Sequence, residues 1–96
     1  MKSLEDHKIT LGKAYDLIRN AVNDDTVAVT MSLCWDGACY DAEVLTASFD
    51  LETLKLSDYD VIADIPAKDI TEIYLMDNII HIFTTGKYSV MIYIVD

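Results

Sequence analysis

Residues 26–46, TVAVTMSLCWDGACYDAEVLT, decide the fold: two alternating runs meet at Asp36-Gly37. Asp-Gly between alternating strands favours a type I′ turn, whose two central residues need positive φ. With Asp36 and Gly37 at the tip, the pairing follows by counting. Trp35 faces Ala38, Leu33 faces Tyr40, Met31 faces Ala42 and Val29 faces Val44, all on one face. The other face opposes Cys34 to Cys39, Ser32 to Asp41, Thr30 to Glu43 and Ala28 to Leu45. The first set is apolar and the second mostly polar. A slip of one residue would bury Asp41 and Glu43, so burial selects this register, although a longer loop would change the partners.

Upstream, Leu11, Ala14, Tyr15, Ile18, Ala21 and Val22 recur at helical spacing and predict an amphipathic helix over Leu11–Val22. Thr10 is its expected N-cap, Asn23-Asp24-Asp25 ends it, and its apolar stripe would lie as a lid over a sheet. Residues 1–8 are polar, and a short helical turn capped by Ser3 is one reading of them.

Downstream, residues 47–60 alternate Phe49 and Leu51, then Leu54 and Leu56, with a change of phase near Glu52-Thr53 that predicts a turn or bulge. Val61-Ile62-Ala63 reads as a short strand, and Pro66 as a break or an edge position. Residues 70–95 then form a meander. Asp77-Asn78 sets Met76 against Ile79, Leu75 against Ile80 and Ile73 against Ile82, and a second turn at residues 84–87 leads into Tyr88–Val95. Both faces of this meander are apolar, which implies either helix cover or a surface that meets another chain.

These elements predict an α+β fold: an N-terminal helix packed on a strongly bent antiparallel sheet or small β-barrel of five to six strands. Ninety-six residues make one domain, with residues 1–25 as N-terminal segment and helix and residues 26–96 as the β meander. An apolar fraction of 52% is enough for a core despite a net charge of −10. That charge is uneven. Between residues 20 and 67 Lys55 is the one basic residue, against Asp24, Asp25, Asp36, Asp41, Glu43, Asp50, Glu52, Asp58, Asp60 and Asp64. Such a surface repels phosphate backbones, so direct nucleic-acid binding is not expected, and a basic protein partner is. The N-terminal segment has no apolar h-region, and the longest apolar run, residues 90–95, is too short to span a bilayer. A cytoplasmic protein without a membrane partner is therefore expected.

No motif specifies a reaction, so no enzyme, cofactor or metal is expected. Cys34 opposite Cys39 suits a disulfide, but a reducing cytoplasm argues for free thiols. Two cysteines with no third ligand do not make a zinc site, and Asp58, Asp60 and Asp64 lack the glycine and closing glutamate of a calcium loop. His7 and His81 stand alone, without a nucleophile in a recognisable arrangement. Catalysis through Cys34 or His81 is thus a third-ranked reading. Trp35 with Tyr40 beside the turn is either a binding anchor or a lid on the core.

A family resemblance runs from Val27 to Ile73. It is carried by Val27-x-Val29-x-Met31, by Asp36-Gly37 with Tyr40, Ala42 and Val44, by Phe49-Asp50 with Leu54-x-Leu56, and by Ile65-Pro66-Ala67-Lys68-Asp69-Ile70-x-x-Ile73. This pattern resembles the Sm-like small β-barrels, including the bacterial YolD-like proteins, and implies a bent sheet closing on itself and a tendency to self-assemble. Pro66-Ala67 stands where RNA-binding Sm proteins carry Arg-Gly, and no Asn follows Asp50 at the family's offset. The family's RNA-binding residues are therefore not carried over.

The resulting expectation is a small non-enzymatic interaction or regulatory protein of bacterial or phage type. It would cover the basic groove of a nucleic-acid-binding protein, as anti-restriction and anti-CRISPR proteins do. The acidic surface would comprise Asp41, Glu43, Asp50, Glu52, Asp58 and Asp60. The alternative is a homo-oligomer assembled along the edge formed by Tyr88, Val90, Ile92 and Ile94.

Overall fold

The computed structural model describes residues 4–86 and 88–95. After a 3-10 turn at Leu4–His7 come helix α1 (Leu11–Val22) and strands β1 (Ala28–Trp35), β2 (Ala38–Glu43), β3 (Thr46–Asp50), β4 (Thr53–Ser57) and β5 (Val61–Pro66). A 3-10 turn at Ala67–Asp69 leads into β6 (Ile70–Met76), β7 (Ile79–Thr84) and β8 (Tyr88–Val95). The expected Ser3 cap lies outside the described residues.

The local predictions hold where local chemistry is strong. The β1–β2 hairpin has the register counted from Asp36-Gly37, and those two residues adopt φ of 50° and 83°. The Val44 N–H donates to the Val29 carbonyl at 2.9 Å, carrying the pairing one step beyond the strands. Thr10 Oγ1 accepts from the Lys13 N–H at 3.2 Å, which satisfies one of the donors that a helix start leaves free. α1 closes with the Asn23 N–H donating to the Arg19 carbonyl and the Asp24 N–H to the Ala21 carbonyl, both at 3.1 Å. The Asp77-Asn78 turn pairs Met76 with Ile79, Leu75 with Ile80 and Ile73 with Ile82.

The strands divide into two antiparallel sheets. One has five strands in the order β2-β1-β8-β7-β6, and the other has three, in the order β3-β4-β5. The fold is α+β as expected; the described residues form eight strands rather than five or six, and neither sheet closes into a barrel. The chain passes between sheets at Val44-Leu45, where the Leu45 N–H donates to Ser57 at 2.8 Å.

The two sheets and α1 share one core. Val29, Met31, Ile73, Ile80, Ile82, Val90 and Ile92 of the large sheet meet Leu54, Leu56, Ala63 and Ile65 of the small sheet and Ala14, Ile18 and Ala21 of α1. Burying each large aliphatic side chain contributes about 1.5–3 kcal/mol. The helix therefore shares the lid: it packs on β3 and β1, and the small sheet supplies the rest.

One expectation is corrected by the strand order. β8 lies in the middle of the large sheet, hydrogen-bonded to β1 and β7, and Val90 and Ile92 are fully buried. Tyr88, Val90, Ile92 and Ile94 thus offer no free edge for self-association. A strand apolar on both faces is placed here by sandwiching, with neighbours on both sides.

Candidate interaction surface

Trp35 ends β1 and stands opposite Tyr88, the first residue of β8. Beyond this pair on β1 comes the Asp36-Gly37 tip, and Trp35 remains 64% exposed. Across from it runs β5, an edge strand whose register to β4 shifts at Leu56/Ser57. Between them opens a cavity of about 370 Å³, lined by Leu33, Trp35, Tyr88 and the consecutive residues Ile62, Ala63, Asp64 and Ile65 of β5. Ala63 and Ile65 are buried and form its floor, whereas Asp64 is exposed at its rim. Burial, and the carboxylates of Asp69 and then Asp64, push the Tyr88 phenol above its ordinary pKa, against the opposing effect of a hydrogen bond with Thr84. The cleft is therefore aromatic, apolar and negative.

The six acids predicted as one surface occupy three places. Asp41 and Glu43 are exposed on the outer face of edge strand β2, in rows with Ser32 and Thr30. Asp50 and Glu52 flank the β3–β4 turn, and Asp58 and Asp60 the β4–β5 turn. At about 3.3 Å per residue, β4 holds these two turns well over ~10 Å apart. The Asp58 carboxylate accepts the Asp60 N–H at 3.0 Å, an Asx turn that fixes the loop. Among the described residues none of the six forms an ion pair, and Lys55, the register partner of Asp64, makes none with it. Each acidic turn also carries an exposed apolar side chain: Leu51 is 90% exposed and Tyr59 is 93% exposed.

Cys34 and Cys39 are joined in a disulfide, which corrects the expectation of free thiols and leaves Cys34 without a thiol nucleophile. His81 is half-buried on the outer face of the large sheet, stacked on Phe83 with ring centroids 6.5 Å apart. Phe83 in turn meets Tyr74 edge-on at 5.9 Å, and the Tyr74 hydroxyl donates to the Glu72 carboxylate. Met76, Ile79, Met91 and Tyr93 extend this half-exposed face. Among the described residues no three His, Cys, Asp or Glu side chains come together as a metal-binding group. No helix among them is long and apolar enough to cross a membrane.

Sequence reasoning named Trp35 but missed its partners Ile62, Asp64 and Ile65, and placed Tyr88 on a supposed edge. The missing signal is the β1–β8 pairing, which no local pattern encodes. Comparison with protein-family models, with curated proteins and with solved structures finds no match to this chain.

Proposed function

We propose that this protein is a small non-enzymatic binding protein that offers an acidic surface set with aromatic anchors to a basic protein partner. In its most concrete form it inhibits a nucleic-acid-binding protein by covering the face that would otherwise hold phosphates. One observation carries this reading: exposed aromatic and leucine side chains alternate with acids that form no ion pair among the described residues, in Trp35-Asp36, Asp50-Leu51-Glu52 and Asp58-Tyr59-Asp60. Charge kept for solubility alone has no need of an aromatic or leucine side chain between the carboxylates. A phosphate-binding groove presents arginine and lysine, whose charges pair with carboxylates and whose planar or aliphatic parts lie against aromatic faces. Steering by opposite charge then makes association fast and salt-sensitive.

The test is capture of partners from host lysate on the immobilised chain, eluted with a salt gradient and identified by mass spectrometry. A basic nucleic-acid-handling protein released by moderate salt, and displaced by added duplex DNA or RNA, supports the reading. Recovery of no such protein at any salt counts against it.

Self-association is a second reading, favoured by the outer face of the large sheet. There β7 and β8 present Ile79, His81, Phe83, Met91 and Tyr93 without a charged side chain. Light scattering at high micromolar concentration decides it: a dimer supports it and a monomer removes it.

A further inference from the structure

We infer that the partner's contact includes an extended basic segment that adds to β5 as a fourth strand of the small sheet and lays a lysine or arginine side chain in the cleft between β5 and the Trp35–Tyr88 pair. The inference rests on the binding function proposed above and names the part of the partner it requires.

The free edge of β5 is the first ground. β5 has a hydrogen-bonded neighbour, β4, on one side only. Among the described residues no backbone hydrogen bond joins residues 62–65 to any other element. An unpaired strand edge is a template for another strand, and proteins that do not use one blunt it with charge, proline or cover. Here Pro66 removes a donor only at the last position, and the charge on the strand, Asp64, repels an acidic strand while attracting a basic one.

The cleft is the second ground, because it follows the same strand. Four consecutive β5 residues line it, so a strand laid along β5 would run beside the cleft for its whole length. Alternation of side chains sends every second residue of that strand toward Leu33, Trp35 and Tyr88. The cavity of about 370 Å³ has room for one long side chain.

Charge selects the occupant. Asp64 lines the cleft, Asp58 and Asp60 stand at the turn into β5, and Asp36 follows Trp35. Two aromatic faces and a carboxylate suit an ammonium or guanidinium group. A second copy of this chain fits poorly, since antiparallel pairing of β5 with itself about Ile62 would set Asp60 of each chain against Asp64 of the other, in two chains of net charge −10 each. The acids that repel self-pairing are the ones that accept a basic strand.

The probe is a capped decapeptide alternating lysine and valine, titrated into the full chain, with the same peptide N-methylated at every residue as control. N-methylation keeps the charge and removes every strand-forming N–H. The expected result is a saturable change in Trp35 fluorescence, amide exchange slowed about tenfold at those of residues 62–65 whose N–H points away from β4, and affinity, read by calorimetry, lower by about tenfold in Trp35→Ala and in Asp64→Lys. Equal binding of the N-methylated peptide, or protection that maps elsewhere, overturns strand addition while leaving the acidic binding surface intact. Absence of peptide binding by a chain that still captures a basic protein from lysate overturns it equally. Failure of both the peptide and the capture removes the binding function itself. Because Trp35→Ala and Asp64→Lys alter exposed side chains, thermal melting of both confirms that the fold is retained.

Discussion

Cys34 and Cys39 face each other across β1 and β2, their Cα atoms 4.0 Å apart and their sulfurs joined. Counting from the Trp35–Ala38 pair that closes the turn, theirs is a pair that exchanges no backbone hydrogen bonds, the closer of the two kinds in an antiparallel ladder. The loop they close is short, so the entropy removed from the unfolded chain is small. Its loss should cost about 2 kcal/mol. Cys34→Ala/Cys39→Ala should therefore melt roughly 8–16 °C lower than the oxidised protein. A reductant should lower the parent's melting point toward that of the variant and leave the variant unmoved. Identical melting with and without reductant would mean that the thiols are not joined.

Leu51 and Glu52 hold φ of 52° and 57° at the centre of the β3–β4 turn. Asp36-Gly37 and Asp77-Asn78 meet the same demand with residues suited to it. A leucine and a glutamate in the left-handed region cost about 1 kcal/mol each. Leu51→Asn/Glu52→Gly should then stabilise the chain by roughly 1–2 kcal/mol in urea unfolding. If Leu51, almost wholly exposed, is an anchor for the partner, the same variant should bind it more weakly. Gain of stability with loss of binding would show why so ill-suited a pair stands there.

Asp24 holds the turn after α1. Its Oδ1 accepts from the Thr26 N–H at 2.9 Å and from the Thr26 hydroxyl at 2.7 Å. The side-chain bond first, and the backbone bond second, hold its carboxyl below the ordinary value of 3.8. A depressed folded pKa means that this contribution is fully present above 3.8 and is lost as pH falls through the lower folded value. Carboxyl chemical shifts should place the Asp24 midpoint below 3.8. In Asp24→Asn the stability-versus-pH curve should lose that part of its acid limb. A midpoint at or above 3.8 would deny the two hydrogen bonds.

What was legible in the sequence was local. The hairpin at Asp36-Gly37, the turn at Asp77-Asn78 and α1 with its Thr10 cap each rest on a pattern contained in one short window, where periodicity and turn chemistry agree. The Leu51-Glu52 turn showed only as a change of phase, since neither residue advertises positive φ. The division into two sheets was hidden because β8 pairs with β1, its partner from far upstream, and an all-apolar strand reads alike as edge or centre. The cleft was hidden for the same reason. Trp35 meets Tyr88 only through that pairing, and β5 comes over them only when the small sheet packs on the large one. The disulfide was missed differently: the register opposed the two cysteines correctly, but an argument from compartment overrode the geometry.

Separation of the acids gives the last prediction. Asp58 and Asp60 stand at the entry to β5, whereas Asp50 and Glu52 lie at the other end of β4. A basic segment seated along β5 would meet the first pair at close range. Glu52 lies beside the far end of β5, its carbonyl accepting from the Ala67 N–H at 2.8 Å. Asp50, on β3 beyond Thr53 of β4, is three strand spacings from an added strand, more than about 10 Å and largely screened at physiological salt. Asp58→Asn/Asp60→Asn should therefore weaken binding of the lysine–valine peptide several-fold and reduce its dependence on salt. Asp50→Asn should change it by less than about twofold. Because Asp58 also accepts the Asp60 N–H, the single variant Asp60→Asn, which leaves that acceptor in place, separates loss of charge from loss of the turn. An equal effect per charge removed at Asp50 and at Asp58 and Asp60 would mean that the partner reads the net charge of the molecule rather than the β5 edge.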